Sequence, residues 1–286
     1  MKFSQKMGLT PIRTALQINS VDNDLKNALW NIILDEFIDK IKHSYEELNL
    51  EVFYQTLWIK FFKKAIDDIP HYRRNSFEDR TILTDEVLKI IRDWYFKCQW
   101  FEVYDFLEFL SMVDRAYGKW LNFDDNCNAI LKNELSGFRV IDGYAVQIIS
   151  EVEIAEIEEA INDTNQLDNV NTHLITALSF LADRKKPNYR NSIKESISAV
   201  EALCAIIVGD KDATFSKALA IIEAKHSLHP ALKKSFGSLY GYTSDASGIR
   251  HALIENDTQV NFEEAKFMLV SCSAFINFLK AKFTEK

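Results

Sequence analysis

Glycine and proline are scarce in this chain, 8 and 4 among 286 residues, so it has few places to turn sharply. Long helices are therefore favoured over many short strands. Cysteine is equally rare. Cys98, Cys127, Cys204 and Cys272 stand far apart, with no CxxC and no Cys/His ligand spacing. They are expected to be buried thiols of a reducing cytosol, without structural zinc. No apolar run approaches the roughly 20 residues that span a bilayer. The opening residues 1–6 are polar rather than a charged-then-apolar leader, so a cytoplasmic protein with no membrane partner is expected. Also missing are a Gly-rich phosphate loop, a Gly-x-Ser-x-Gly elbow and His-Glu-x-x-His. The chain thus gives no sign of an NTPase, a serine hydrolase or a zinc protease. No cofactor and no metal are expected.

What is present is an ordinary globular balance, 47% hydrophobic and 27% charged, over a length that suits two moderate domains. The net charge of −8 argues against a generic nucleic-acid coat. The acid is unevenly spread: beyond residue 164, Lys and Arg slightly outnumber Asp and Glu. Arg184, Lys185 and Lys186 cluster before Pro187 as a solvated loop or a local basic surface.

Apolar residues recur at three- and four-residue intervals in 25–42, 52–66, 87–96 and 101–115, which predicts helices rich in aromatics. Thr84, ahead of Asp85 and Glu86, is a candidate N-cap. All five tryptophans (Trp30, Trp58, Trp94, Trp100, Trp120) fall in this part and are expected in its core. Residues 138–149 interrupt the helices with two β-favouring runs around Asp142-Gly143, a strong hairpin signal. Ser150 and Glu153 then fit a capping box opening a helix through Ile154, Ile157 and Ile161. The polar stretch 162–169 is the candidate junction, giving domains 1–164 and 165–286. Further helices are predicted near 173–181, 189–208, 214–225, 229–239, 249–255 and 262–283. The fold class is mainly α: two helical domains with one small β-hairpin.

Chemistry concentrates at Arg250-His251. Small and turn-forming residues (Thr243, Ser244, Asp245, Ser247, Gly248) lead into an apolar helical pattern from Ile249. A helix start favours anions through its free N–H groups and its dipole. Histidine exchanges a proton near neutral pH, and arginine holds phosphate with a planar fork of donors. The plainer alternative is a helix start whose histidine fills a core hydrogen bond. On the long helix, Glu195, Ser198 and Glu201 recur every three residues, forming a slowly turning stripe. A carboxylate from Glu195, Glu201 or Asp245 could orient the imidazole; a solvated helix face is the other reading of that stripe. His43, His71, His173, His226 and His229 read as structural or exposed.

These blocks, in order, resemble a known family. Residues 189–201, 228–234, 239–242 and 244–253 resemble the HEPN-type domain at the C-terminus of AbiJ-like abortive-infection proteins. The opening 1–11 and the hairpin region are similar to the N-terminal domain that accompanies it. The resemblance implies a C-terminal HEPN-like helical bundle and, in active members, metal-independent RNA cleavage yielding a cyclic phosphate. It implies homodimers, with RNA (tRNA among the candidates) as partner, and an antiviral, toxin-like role. By that resemblance His251 assists proton transfer and Arg250 stabilises the phosphorane-like charge. The chain departs from the family at one point. The usual motif sets Arg several residues before His, whereas here they are neighbours, about 100° apart on a helix. A catalytically silent HEPN-like module that binds RNA or nucleotide, or dimerises, is the alternative, and a structural helical adaptor is a third.

Overall fold

The computed structural model describes residues 3, 7, 16–43, 49–73, 80–118, 121–161, 167–183, 187–226, 228–245 and 260–283. The described chain is mainly helical, and it divides into two compact units, Met1–Ile149 and Ser150–Lys286.

Among the described residues, the first long helix of the first unit is α1 (Asn23–Ile32), capped by Asp22, whose carboxyl accepts the Leu25 N–H at 2.9 Å. The helix continues through a π-type stretch, Ile33–Ile38, into α2 (Asp39–Lys42). Leu25, Leu29, Ile33, Phe37 and Ile41 recur every four residues, and all are fully buried. In a regular α-helix each four-residue step overshoots by about 40°, so such a stripe would drift by about 160° over four steps. The wider π turns, in which Asp39 N–H reaches back five residues to the Leu34 carbonyl, unwind the helix and keep the stripe on the core.

A second helix, α3 (Leu50–Thr56), also passes into a π stretch, Leu57–Phe61. It ends at Phe62, earlier than the expected 66, because the chain folds back: Trp58 Nε1 donates to the Ala65 carbonyl at 3.1 Å. A 3-10 turn (Ile66–Asp68) leads to β1 (His71–Arg73), which pairs antiparallel with β2 (Arg80–Ile82). This pair was not foreseen. Strands of three residues are too short to establish an alternating pattern.

Next come α4 (Thr84–Lys97), α5 (Trp100–Ala116) and α6 (Phe123–Asn133). The cap position of α4 is Leu83 rather than Thr84, and no side chain caps it. The core is aromatic: Trp30 lies 5.1 Å from Tyr95, Trp94 lies 5.2 Å from Phe61, and Phe37 lies 5.2 Å from Phe123, ring centre to ring centre. Trp30 and Trp58 are buried, while Trp94 and Trp100 pack against the same core. Each large ring removed from water contributes roughly 2–3 kcal/mol. Trp120 lies outside the described residues.

The predicted hairpin is present as β3 (Arg139–Ile141) and β4 (Tyr144–Val146), with Ile141 opposite Tyr144. Asp142 (φ 50°) and Gly143 (φ 85°) make its two-residue turn, both left-handed as a type I′ turn requires. A lone hairpin is marginal in water, and this one is clamped on both edges. The Asn128 side chain bonds both backbone groups of Val140, at 2.7 and 2.8 Å, as a neighbouring strand would. On the other edge Glu108 accepts the Ala145 N–H at 2.7 Å, and Arg115 pairs with Asp142.

Gln17 ties the start of the unit to the loop before β3. It makes a parallel bridge with Ser136, and Gly137 N donates to the Gln17 carbonyl at 2.9 Å. A Cβ on Gly137 would sit 2.9 Å from Ile18 Cγ1 and 3.2 Å from the Gln17 carbonyl oxygen. Gly137→Ala is expected to cost about 1–3 kcal/mol by forcing these strands of chain apart. Tryptophan fluorescence during thermal melting checks this, since all five tryptophans lie in this unit; an unchanged melting point would refute it.

The second unit is a helical bundle of α7 (Glu151–Ile161), α8 (Asp168–Ala182), α9 (Tyr189–Val208), α10 (Phe215–His226), α11 (Pro230–Asp245) and α12 (Phe262–Phe283). Ser150 Oγ accepts the Glu153 N–H at 3.4 Å, while the Glu153 carboxylate turns to Lys266 at 3.4 Å. The C-terminal end of α7 is held by α12. Lys280 Nζ, almost fully buried, donates to the Ala160 carbonyl at 2.9 Å, and Asn277 Nδ2 donates to the Glu156 carbonyl at 2.9 Å. A cation there completes orphan carbonyls and complements the helix dipole. The division between units thus falls before α7, while the polar stretch expected as the junction lies largely outside the described residues.

Candidate functional site

The site is built on α9, whose limits follow from its sequence. It begins two residues after Pro187, the Asn188 side chain accepts the Asn191 N–H at 3.3 Å, and Gly209 (φ 70°) closes the helix in the left-handed conformation. Ile193, Ile197, Val200 and Leu203 are buried, as are Val170, Leu174, Ala177 and Leu178 of α8, which packs against this helix. Ser192, fully buried, donates to the Ala177 carbonyl at 2.7 Å. Glu195, Ser198 and Glu201 run along the half-buried flank of the helix.

Glu195 does not stand alone on that flank. Its Oε2 lies 2.6 Å from Nδ1 of His173 on α8. Contacts 192–177 and 195–173 advance in opposite directions, so α8 and α9 form an antiparallel pair. The carboxylate is the inner member, with a side-chain exposure of 18% against 36% for the imidazole. From the sequence, His173 reads as structural or exposed. The available signal was its place nine residues before the end of α8, opposite a carboxylate six residues past the start of α9. Glu201 lies six residues on from Glu195, about 9 Å further along the axis. Its charge adds to burial in pushing the Cys204 thiol up to about 12.

Asp245 is the last residue of α11, which runs through Gly241, Tyr242 and Thr243 instead of ending near 239. The turn expected there is helix at least this far. Thr243 is fully buried, and its hydroxyl bonds back to the Tyr240 carbonyl at 2.7 Å, so packing overrides the turn-forming character of these residues. The Asp245 side chain, Arg250 and His251 lie outside the described residues, as do Arg184, Lys185 and Lys186.

The other histidines whose side chains are described spend a ring nitrogen on nearby backbone: His43 on the Asp39 carbonyl, His71 on the Ile69 carbonyl, and His229 on the Ala231 N–H. Burial raises the thiols of Cys127 and Cys272, the latter to about 12, so these cysteines are poor nucleophiles. Among the described residues no group of three or more His, Cys, Asp or Glu is placed to hold a metal ion. Among them, too, no helix is long and apolar enough to cross a membrane. Two surface clefts flank α11. One, of about 440 Å³, is lined by Tyr242, Glu264, Phe267 and Met268 with two serines; the other, of about 470 Å³, holds Lys234 and the Lys233–Glu223 pair.

No curated protein and no solved structure matches the chain. Residues 1–163, covering all of the aromatic helical unit and α7, match AbiJ N-terminal domain 4, and the chain belongs to that family.

Proposed function

We propose that this protein acts in abortive-infection defence as a metal-independent endoribonuclease whose HEPN-type C-terminal unit carries the chemistry. An AbiJ-type domain suggests the defence role. The observation that carries the nuclease reading is Arg250-His251, placed in sequence after a long helix of a helical unit in the order the HEPN resemblance requires. His251 serves as the acid–base group at the scissile phosphodiester, and Arg250 clamps the phosphate and stabilises its charge. Glu195, Glu201 and Asp245 are the candidates for orienting His251, and Glu195 also bonds His173. The protein works in the cytoplasm as a homodimer with RNA as its partner, and the N-terminal unit senses or restrains.

The test is incubation of the purified protein with tRNA and total RNA, with and without EDTA. Cleavage that survives chelation and falls at least about 100-fold in His251→Ala, with helicity unchanged, is expected, because general acid–base help is worth that much. RNA left intact under all conditions would overturn the reading. The adjacency of Arg250 and His251 favours a second reading, a catalytically silent module that binds RNA or nucleotide. Binding without turnover, unaffected by His251→Ala, decides for it.

A further inference from the structure

We infer that His173, oriented by Glu195, is an additional acid–base residue facing the RNA, an assignment that rests on the cleavage reading above. The geometry is that of a poised imidazole. A separation of 2.6 Å between Nδ1 and Oε2 fits a charge-assisted bond, and a carboxylate partner fixes the proton on Nδ1. Nε2 then carries the lone pair. Among the described residues nothing hydrogen-bonds to Nε2, and the ring is the more exposed member of the pair. Of the two side chains, the imidazole is the one solvent reaches more.

The pair is not what holds the two helices together. The apolar seam between α8 and α9 and the buried Ser192 bond already do so. A half-exposed ion pair adds little to that.

In the step proposed, neutral Nε2 accepts the proton of a ribose 2′-hydroxyl. The 2′ oxygen forms a bond to the adjacent phosphorus, and the bond from phosphorus to the 5′ oxygen breaks with its electron pair. The 5′ oxygen takes a proton from the imidazolium of His251, which regains one from solvent, and the His173 imidazolium returns its proton to solvent. The products are a 2′,3′-cyclic phosphate and a 5′-hydroxyl.

The experiment uses the full chain with RNA substrate and, as an uncleavable probe, the 2′-deoxy oligonucleotide of the same sequence. His173→Gln is expected to slow cleavage by about 10- to 100-fold, to keep affinity for the deoxy probe within a few-fold, and to remove one limb of the pH–rate profile. Glu195→Gln is expected to slow it less and to shift that limb. A His173→Gln protein with wild-type rate and profile overturns the inference while leaving the nuclease reading intact. Where the variant melts early, the imidazole signal of His173 in the wild-type protein decides instead: it must shift on adding the deoxy probe, and an unmoved signal overturns the assignment. If the wild-type protein cuts no RNA, the nuclease reading fails; a shifted signal would then keep His173 at an RNA-binding surface, and an unmoved one would remove it.

Discussion

Asp114→Ala is expected to destabilise the N-terminal unit by about 2–4 kcal/mol, lowering its tryptophan-detected melting point by roughly 6–12 °C. Asp114 is buried near the end of α5, and its two carboxyl oxygens accept the N–H groups of Leu121 at 3.0 Å and Phe123 at 3.1 Å. These bonds close the turn between α5 and α6 and satisfy donors at the start of α6, which no side chain caps at Asn122. Alanine leaves both donors buried without a partner and opens a void beside them. Each orphaned buried donor costs about 1–3 kcal/mol, so the two together exceed any single surface effect in this unit. Asp114→Asn keeps one acceptor and the shape, and should fall about midway. A melting curve for Asp114→Ala that superimposes on wild type would show that the turn is held by other means.

The second large effect is a dependence of stability on pH that is carried by Glu108. Burial pushes its carboxyl up to about 7, against an ordinary value of 4.5; Asp105 adds to the rise, and the Ala145 N–H opposes it. A folded value above the unfolded one means that the folded protein holds a proton that the unfolded chain has released. The neutral carboxyl therefore favours the fold most at low pH. That stabilisation fades as pH climbs from about 4.5 through about 7, and above this the full cost of a buried charge is present. Each unit of difference is worth about 1.4 kcal/mol, and the partial exposure of the site reduces the total to roughly 1–3 kcal/mol.

Glu108→Gln keeps an oxygen for the Ala145 N–H but cannot ionise. It should match wild type at pH 5, exceed it at pH 8, and flatten the slope between them in denaturant titrations followed by tryptophan fluorescence. Identical slopes for the two proteins would remove Glu108 as the cause. The hairpin is where the change would be felt, because Glu108 grips its β4 edge, with Asp142, Tyr144 and Arg115 close by. Tyr144 itself is raised by burial and by the negative charges of Asp142 and Glu108.

Much of this architecture can be read from local pattern. The helix over 189–208 and the one over 262–283 have the limits their apolar spacing and flanking Asn188 and Gly209 indicate. Asp142-Gly143 specifies a two-residue turn and, through it, the register of β3 against β4, because only residues tolerant of positive φ can occupy both positions. The AbiJ-type N-terminal half was also legible, from its opening residues and the hairpin.

The pairings between distant elements were not legible. Glu195 was expected to orient His251, which lies outside the described residues; among the described residues its partner is His173, across a helix pair. The helix after Ser150 packs with the second unit, and β1 finds β2 although neither alternates. The turn residues Gly241–Thr243 are wound into α11 because Thr243 is buried there.

The amino-acid sequence by itself determined the helical class, the hairpin and the limits of the longest helices, because periodicity and turn chemistry act over a few neighbouring residues. Only the tertiary structure decided which carboxyl serves which partner: Asp114 the turn, Glu108 the hairpin, Glu195 the imidazole of His173. Those choices depend on how helices cross and which flanks they leave half-buried, and side-chain reach over a crossing has no signature along the chain.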